Sequence, residues 1–574
     1  MCILSGIPVF KGIAAAPVYT YQAIELKIEK ERIDPQNIND ELFRFKKIQK
    51  KVIQELKEHI EMAESSNLKE EIEIFRAHLM MAEDPILISK ITDRIQKEHF
   101  SVEQAIEKSK LEIMDMFLQI KDAYLKTRAA DVEDVANRLL ELSLGISHKE
   151  LSEIKENVIL VAKDLKPSEL SVLSYCIKGI LLEEGSQTSH AAILAKAKGI
   201  PTIVGLSGIY NEVHSNDLII VDSVHNKVYL QPTNKQLSYY KKQIDIINHK
   251  KLKANLIKEE AAITKDGKKI KLYGNISSSS EASLVEDNGG KGIGLLRTEF
   301  LYMNSSSFPT EEEQFNEYVK IVEKGFEDVI IRTLDIGGDK NLPYYKMKEE
   351  ENPFLGFRAI RFTLANPDLF KIQLKAILRA SAFGRTGIMF PMISCLDEVR
   401  KAKALLEKCK NELRENKISF DADIRVGIMI ETPAAAAIAD ILVEEVDFFS
   451  IGTNDLCQYT LAVDRMNNEV AYLYQPLHPG IIRLIHQTVN AAHNANKEVG
   501  ICGEIAGEAV NALLLIGLNI DELSMSPAVI PEVKSLIRQI SYKDAQQIAK
   551  RILLCKNTED IKVILEQEIK KYVY

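Results

Sequence analysis

Three groups of side chains in this sequence have types and spacings suited to one chemistry, the handling of a phosphoryl group. The first centres on a histidine, His190, in Gly185-Ser186-Gln187-Thr188-Ser189-His190-Ala191-Ala192-Ile193-Leu194-Ala195-Lys196. There an apolar run, Ile180-Leu181-Leu182, gives way to a polar turn and then to small residues. The pattern predicts a helix from Ala191 to Lys198, stopped at Gly199-Ile200-Pro201, with Thr188 or Ser189 as its cap. The unpaired N–H groups and positive end of such a helix favour an anion. They also disfavour imidazolium, which keeps His190 neutral and nucleophilic. A histidine so placed is equipped to become a phosphohistidine; the plainer alternative is a polar residue that merely opens a helix.

The second and third groups lie beyond residue 264. Eight apolar runs of strand character alternate there with helical stretches: Ile270–Asn275, Ile293–Thr298, Val329–Leu334, Gly387–Met392, Val426–Glu431, Phe448–Thr453, Gly500–Glu504 and Glu522–Met525. Such alternation predicts a parallel sheet, and eight units predict a (β/α)₈ barrel. Barrel active sites lie at the carboxyl ends of the strands. Those ends carry Arg297 and Glu299, Arg332 and Asp335, Glu431, Asn454 and Asp455, and Cys502, with Arg465 further on. Gly337-Gly338-Asp339-Lys340 follows Asp335, and Gly356-Phe357-Arg358-Ala359-Ile360-Arg361 is expected near the fourth strand. Singly, each reads as a salt bridge or a buried thiol. Jointly, several arginines imply a ligand with two or three negative charges, because the guanidinium fork matches phosphate and carboxylate. Glu431 and Asp455 suit one Mg²⁺, which takes hard oxygens together with substrate phosphate. Cys502 is a candidate proton donor. Phosphoenolpyruvate (PEP) has both anions, and its enol product needs a proton at carbon.

These groups must be positioned by several domains, since 574 residues exceed one ordinary domain. Residues 3–21 and the region from about 157 to 230 share a strand-and-turn texture. Between them, charged residues alternate with Leu, Ile, Phe and Met at helical spacing (Leu42, Phe45, Ile48, Val52, Leu56 and later Val132, Val135, Leu139, Leu140). This predicts an α/β domain in two pieces, 1–21 and 147–233, with a helical bundle, 22–146, inserted between them. Phe75, His78 and the nearby methionines read as bundle core. Residues 234–263, without Gly or Pro, read as a linker helix, and 264–574 as the barrel. The net charge of -9 argues against broad nucleic-acid binding. No run approaches a membrane span and no signal peptide is expected, so no membrane insertion is expected. Seven scattered cysteines without a CxxC pair fit a reducing cytoplasm.

Thr188-Ser189-His190-Ala191-Ala192-Ile193 with Gly205 resembles the phosphohistidine motif of the PEP-utilising enzymes. Gly292–Phe300, Arg332–Lys340, Asn352–Arg361 and Asp447–Leu456 resemble their barrel motifs. With the inserted bundle and the length, the chain resembles end to end the Enzyme I family of bacterial phosphotransferase systems. The resemblance implies a multidomain α/β protein: a swivelling phosphohistidine domain, an inserted bundle that docks the carrier protein HPr, a linker helix, and a C-terminal (β/α)₈ TIM barrel that forms a homodimer. It implies that His190 takes the phosphoryl group on Nε2. Arg297 and Arg332 would bind the phosphate of PEP, and Arg358 would support it. Asn454, the Asp455 backbone and Arg465 would position the substrate. Glu431 and Asp455 would hold Mg²⁺, and Cys502 would protonate enolpyruvate. Lys196 stands where the family usually has Arg, keeping the charge but losing the fork. Ser186, Asn304-Ser305 and Cys457 also depart from common family residues, without removing a group the chemistry needs.

Two other readings bear on the same motifs. A dikinase or PEP synthase shares the histidine and barrel motifs but needs a large ATP-binding domain, and no GxxxxGK[ST] loop occurs here. A regulatory paralogue that only binds PEP or HPr would be favoured by loss of His190, Cys502 or the carboxylates, all of which are present. No sensor domain is expected ahead of the bundle, so sugar uptake is the expected branch rather than a regulatory one.

Overall fold

The computed structural model describes residues 2–573 apart from positions 11, 22–27, 29–31, 66–68, 120–122, 146–150, 152–153, 166–172, 186–194, 196–198, 304, 306, 339, 341, 343, 346, 349, 466 and 468. The chain forms two compact units, Met1–Asn248 and His249–Tyr574. The helix Asn234–Leu256 runs across the border between them.

The first unit is built on a mixed sheet of eight strands: β1 (Cys2–Leu4), β2 (Ile7–Phe10), β3 (Ile13–Tyr21), β4 (Val158–Ala162), β5 (Ile177–Leu182), β6 (Thr202–Val204), β7 (Leu218–Asp222) and β8 (Lys227–Leu230), in the order β1-β8-β7-β3-β4-β5-β6-β2. Val158–Ala162 is buried along its whole length, as an apolar run in a covered parallel sheet should be. The chain leaves the sheet at the end of β3 and returns at β4, which pairs with β3 in parallel, Val18 opposite Ile159. Between these adjacent strands run the helices Ile38–Ser65, Lys69–Ala82, Pro85–Glu98, Val102–Gln119 and Ala123–Ser143. The bundle is therefore an insertion that leaves the sheet's pairing intact.

The periodic residues of the bundle face inward. Phe45, Val52, Val135, Leu139 and Leu140 are buried in one cluster with Ile91, Ile95 and Ile106. The Asp84 carboxylate accepts from the amides of Ile86 and Leu87, and Pro85 opens the next helix, so Asp84-Pro85 ends one helix by starting another. Phe75 and His78 are buried, whereas Met80 is exposed.

The second unit is a closed parallel barrel of β9 (Lys271–Ile276), β10 (Gly292–Arg297), β11 (Val329–Arg332), β12 (Thr386–Phe390), β13 (Arg425–Ile430), β14 (Phe448–Ile451), β15 (Glu498–Ile501) and β16 (Glu522–Met525). All eight fall on the expected runs. β16 pairs with β9 and closes the ring, Leu523 opposite Leu272. The outward side chains form one large apolar layer with the surrounding helices. A small inner cluster of Leu295, Ile330, Met389, Met429, Phe448 and Cys502 fills the barrel itself. Glycines make room for it: a Cβ on Gly427 or Gly387 would run into the Phe448 ring or Ile330. Among the described residues, no helix is long and apolar enough to cross a membrane.

Candidate active site at the carboxyl rim of the barrel

Most of the charged residues singled out in the sequence converge on this rim. Arg297 and Arg332 end neighbouring strands and stand opposite each other in register. Arg332 Nη2 lies 2.6 Å from Glu299 Oε1 and 3.1 Å from Asp335 Oδ2. Lys340 Nζ reaches the same two carboxylates, at 2.8 Å and 3.1 Å. Arg358 Nη2 donates to both oxygens of Asp335, at 3.0 and 3.2 Å, and lies 3.5 Å from Asp455 Oδ2. Glu299 and Asp335 are each 1 % exposed and Arg358 is 2 % exposed. Carboxylates taken so far from water persist as ions only because several cations face them.

The electrostatics follow from this packing. Burial acts to raise the carboxyls of Glu299 and Asp335, but Arg332 and Lys340 outweigh it at both, with Arg358 adding to the effect at Asp335. Both are held below the usual carboxylate range, Asp335 well below it. Two cationic donors remain unsatisfied: the Nε groups of Arg332 and Arg358 are buried without an acceptor among the described residues. An anion between them would complete their hydrogen bonding. Arg297 is half-buried, with no ion pair among the described residues.

Glu431 differs from its neighbours. Its Oε1 accepts from the Met392 amide at 2.6 Å, and no cation pairs with it among the described residues. Met392 supplies that amide from a left-handed backbone, φ 57°, a strained conformation for a non-glycine residue. Burial pushes the Glu431 carboxyl up to about 8, with the negative charges of Asp455 and Asp335 adding to the effect. Asp455 Oδ1 is buried without a partner. Two neighbouring carboxylates, one short of a cation and one with an orphaned oxygen, fit a hard divalent ion such as Mg²⁺. No group of three or more His, Cys, Asp or Glu residues forms a metal cage among the described residues, so the remaining ligands of such an ion would be substrate oxygens and water.

Asn454 and Asp455 lie in the first turn of the helix Thr453–Leu461, which follows β14 directly. Asn454 Oδ1 accepts from the Glu504 amide at 3.1 Å, which ties this turn to the loop after Cys502. The backbones approach so closely here that a Cβ on Gly503 would collide with the Thr453 side chain. Cys502 follows β15; its Sγ lies 3.7 Å from the Ile451 carbonyl, and its own carbonyl accepts from Asn275 Nδ2 at 2.9 Å. Burial pushes its thiol up to about 11, so it remains protonated at neutral pH. Arg465 lies beyond the same helix, its amide donating to Gln458 Oε1 at 3.4 Å.

One expected placement needs correcting. Arg358 does not attend the fourth strand. It lies in the long connection from β11 to β12, after the short helix Pro353–Leu355 and before the helix Ile360–Ala365. Gly337 and Gly338, at φ 105° and 70°, turn the chain back so that Arg358 packs on Gly337 with no room for a Cβ.

Three family profiles match the chain: PEP-utilising enzyme, N-terminal, over residues 5–128; PEP-utilising enzyme, mobile domain, over 154–226; and PEP-utilising enzyme, PEP-binding domain, over 251–542. The last spans half of the chain and contains the whole rim. The chain belongs to the PEP-utilising enzyme family.

Three relatives in this family carry the name phosphoenolpyruvate-protein phosphotransferase. That of Mycoplasma capricolum subsp. capricolum is 41% identical over 98% of this chain and 98% of its own. That of Priestia megaterium is 41% identical over 97% of each chain. That of Haemophilus influenzae is 42% identical over 97% of this chain and 98% of its own.

His190 falls within the match to the family's mobile domain, between β5 and β6 in the sequence. His190 itself and most of the helix expected from Ala191 to Lys198 lie outside the described residues; Ala195 is helical and buried. The rim also contains residues that the sequence reading passed over. Tyr459 and Phe354 both contact Arg358, and Met392 holds Glu431. Tyr459 sits one helical turn past Asp455, and that spacing was the one available signal.

Proposed function

We propose that this protein transfers the phosphoryl group of PEP to Nε2 of His190, and from His190 to the carrier protein HPr, with release of pyruvate. In this reading it is a cytoplasmic homodimer, joined through the barrel, that performs the first step of phosphotransferase-coupled sugar uptake. Residues 1–21 and 147–233 form the phosphohistidine domain, 22–146 the HPr-docking bundle, 234–263 the linker and 264–574 the PEP-binding barrel. The observation that carries it is the rim: buried arginines with unsatisfied Nε groups stand beside Glu431, which no cation pairs among the described residues, and Asp455, whose Oδ1 is buried without a partner. A small phosphorylated carboxylate with its divalent ion supplies both missing charges.

Arg297 and Arg332 bind the phosphate, with Arg358 in support; Asn454, the Asp455 backbone and Arg465 fix the remainder of the substrate. Glu431 and Asp455 would hold Mg²⁺, which would supply positive charge against the oxygens of the transferring group. The His190 Nε2 lone pair forms the N–P bond as the P–O bond of PEP breaks, and the enolate of pyruvate leaves. The enolate takes a proton at its methylene carbon from the Cys502 thiol, which regains one from water. Incubation with PEP labelled in its phosphoryl group, in the presence of Mg²⁺, should place acid-labile, base-stable label on the peptide containing His190. Added HPr should then remove it. Label that never reaches the protein, or that HPr leaves in place, contradicts the relay.

A further inference from the structure

Arg358 is held in two ways. One half of its fork, Nη2, is bound by the carboxylates of Asp335 and Asp455. The other, Nη1, donates to the Tyr459 hydroxyl at 2.9 Å. That hydroxyl donates in turn to the Phe354 carbonyl at 2.5 Å. The Phe354 ring lies 5.9 Å from the guanidinium carbon. The phenol thus uses both its donor and its acceptor function, which fixes its direction of donation. Burial pushes it up to about 12, so it carries its proton at neutral pH.

The backbone around Arg358 is equally constrained. Ala359 has φ 52° and ψ −125°, a conformation L residues rarely adopt, and its amide donates to the Ile336 carbonyl at 3.0 Å. Arg358 therefore precedes a strained residue, backs onto Gly337, and ends in a fork clamped by Asp335 from the loop after β11 and by Asp455 and Tyr459 from one helix. Asp455 and Tyr459 are four residues apart on the helix Thr453–Leu461, so they share a face. One helix thus presents both a carboxylate and a phenol to the same guanidinium.

We propose that Tyr459 is a positioning residue for Arg358: its hydroxyl, braced by the Phe354 carbonyl, sets the plane of the fork that meets the substrate's anion. This rests on the phosphotransfer reading above. Charge in the site does not depend on Tyr459, because Asp335 and Asp455 retain Nη2 without it. Orientation does, and orientation counts most where charge is redistributed in the transition state.

The test is Tyr459→Phe in the full chain, which removes one oxygen and keeps the ring. Phosphorylation by PEP with Mg²⁺ is followed by rapid quench at varied PEP, and thermal unfolding is read in parallel. The maximal rate constant should fall on the order of ten- to a hundredfold. The PEP concentration giving half that rate should change less than about threefold. In an Arg358→Lys background, which lacks the fork, Tyr459→Phe should cost less than about twofold; if Arg358→Lys fails to fold, Arg358→Gln replaces it. A Tyr459→Phe rate within about twofold of wild type, or a loss that persists undiminished without the fork, overturns the proposal. Wild-type protein that takes no label from PEP would overturn the phosphotransfer reading instead, so the two failures are distinguishable.

Discussion

Cys502 and Glu431 are both buried acids, and burial acts on them in the same direction with different consequences. For Cys502, a thiol pushed up to about 11 is a poor nucleophile at neutral pH and a retained proton. It is therefore suited to give a proton to carbon rather than to attack phosphorus. Cys502→Ala removes only that proton. P–O cleavage does not require it, so label on His190 should still appear, while the keto form of pyruvate lags behind the label. The check is parallel quantification of protein-bound phosphate and of pyruvate read by lactate dehydrogenase. Loss of both together would place Cys502 in phosphoryl transfer rather than in protonation. For Glu431, the same burial disfavours the ionised form, so the carboxyl gives up its proton readily only when a cation joins it, and Met392 holds it in place from a strained backbone.

At the scale of elements, the two ends of the barrel strands do different work. The carboxyl ends carry the rim. The opposite ends begin with Lys271, Arg425, Glu498 and Glu522, the first residues of β9, β13, β15 and β16. Lys271 Nζ lies 2.5 Å from Glu498, and Arg425 pairs with Glu498 and Asp328. Glu522 turns inward, where a Cβ on Gly294 would strike its carboxylate. Burial pushes it up to about 7, against the pull of Lys271 and Arg425. Its folded value lies above its unfolded one, so it stabilises the fold fully below about 4.5 and loses that contribution as pH rises through about 7. Glu522→Gln has no such loss. The variant's stability advantage should therefore grow by about 1–3 kcal/mol between pH 5 and pH 8, read from the barrel's denaturant transition. A constant difference across that range would contradict the assignment.

The barrel strands were legible in the sequence because a parallel strand covered on both faces leaves an unbroken apolar run, and helical amphipathicity separates one run from the next. The rim was legible for a related reason: charged residues such as Arg332 and Glu431 stand immediately after such runs. What the sequence did not disclose depends on contacts distant along the chain. Arg358 was expected near the fourth strand because the return across the mouth depends on the close packing at Gly337, which periodicity does not report. Tyr459 reads as an ordinary helical aromatic until Arg358 is placed beside it. The left-handed conformations of Met392 and Ala359 are imposed by tertiary packing on residues whose own preferences point elsewhere.

At the scale of the whole molecule, the proposed nucleophile and the proposed substrate site belong to different units. His190 falls within Met1–Asn248 and the rim within His249–Tyr574. The proposed relay would require the unit that contains His190 to visit the barrel and then HPr, with the helix Asn234–Leu256 and the segment after it as the proposed lever. Its central claim is that each chain carries one phosphoryl group on one histidine between the two partners. That claim is tested most directly by counting pyruvate in a single turnover. Excess PEP with Mg²⁺ and no HPr should release a burst of about one pyruvate per chain from the wild-type protein. His190→Ala, folded and still binding PEP, should give no burst. A wild-type protein without a burst, or a His190→Ala variant with a full one, would contradict the account.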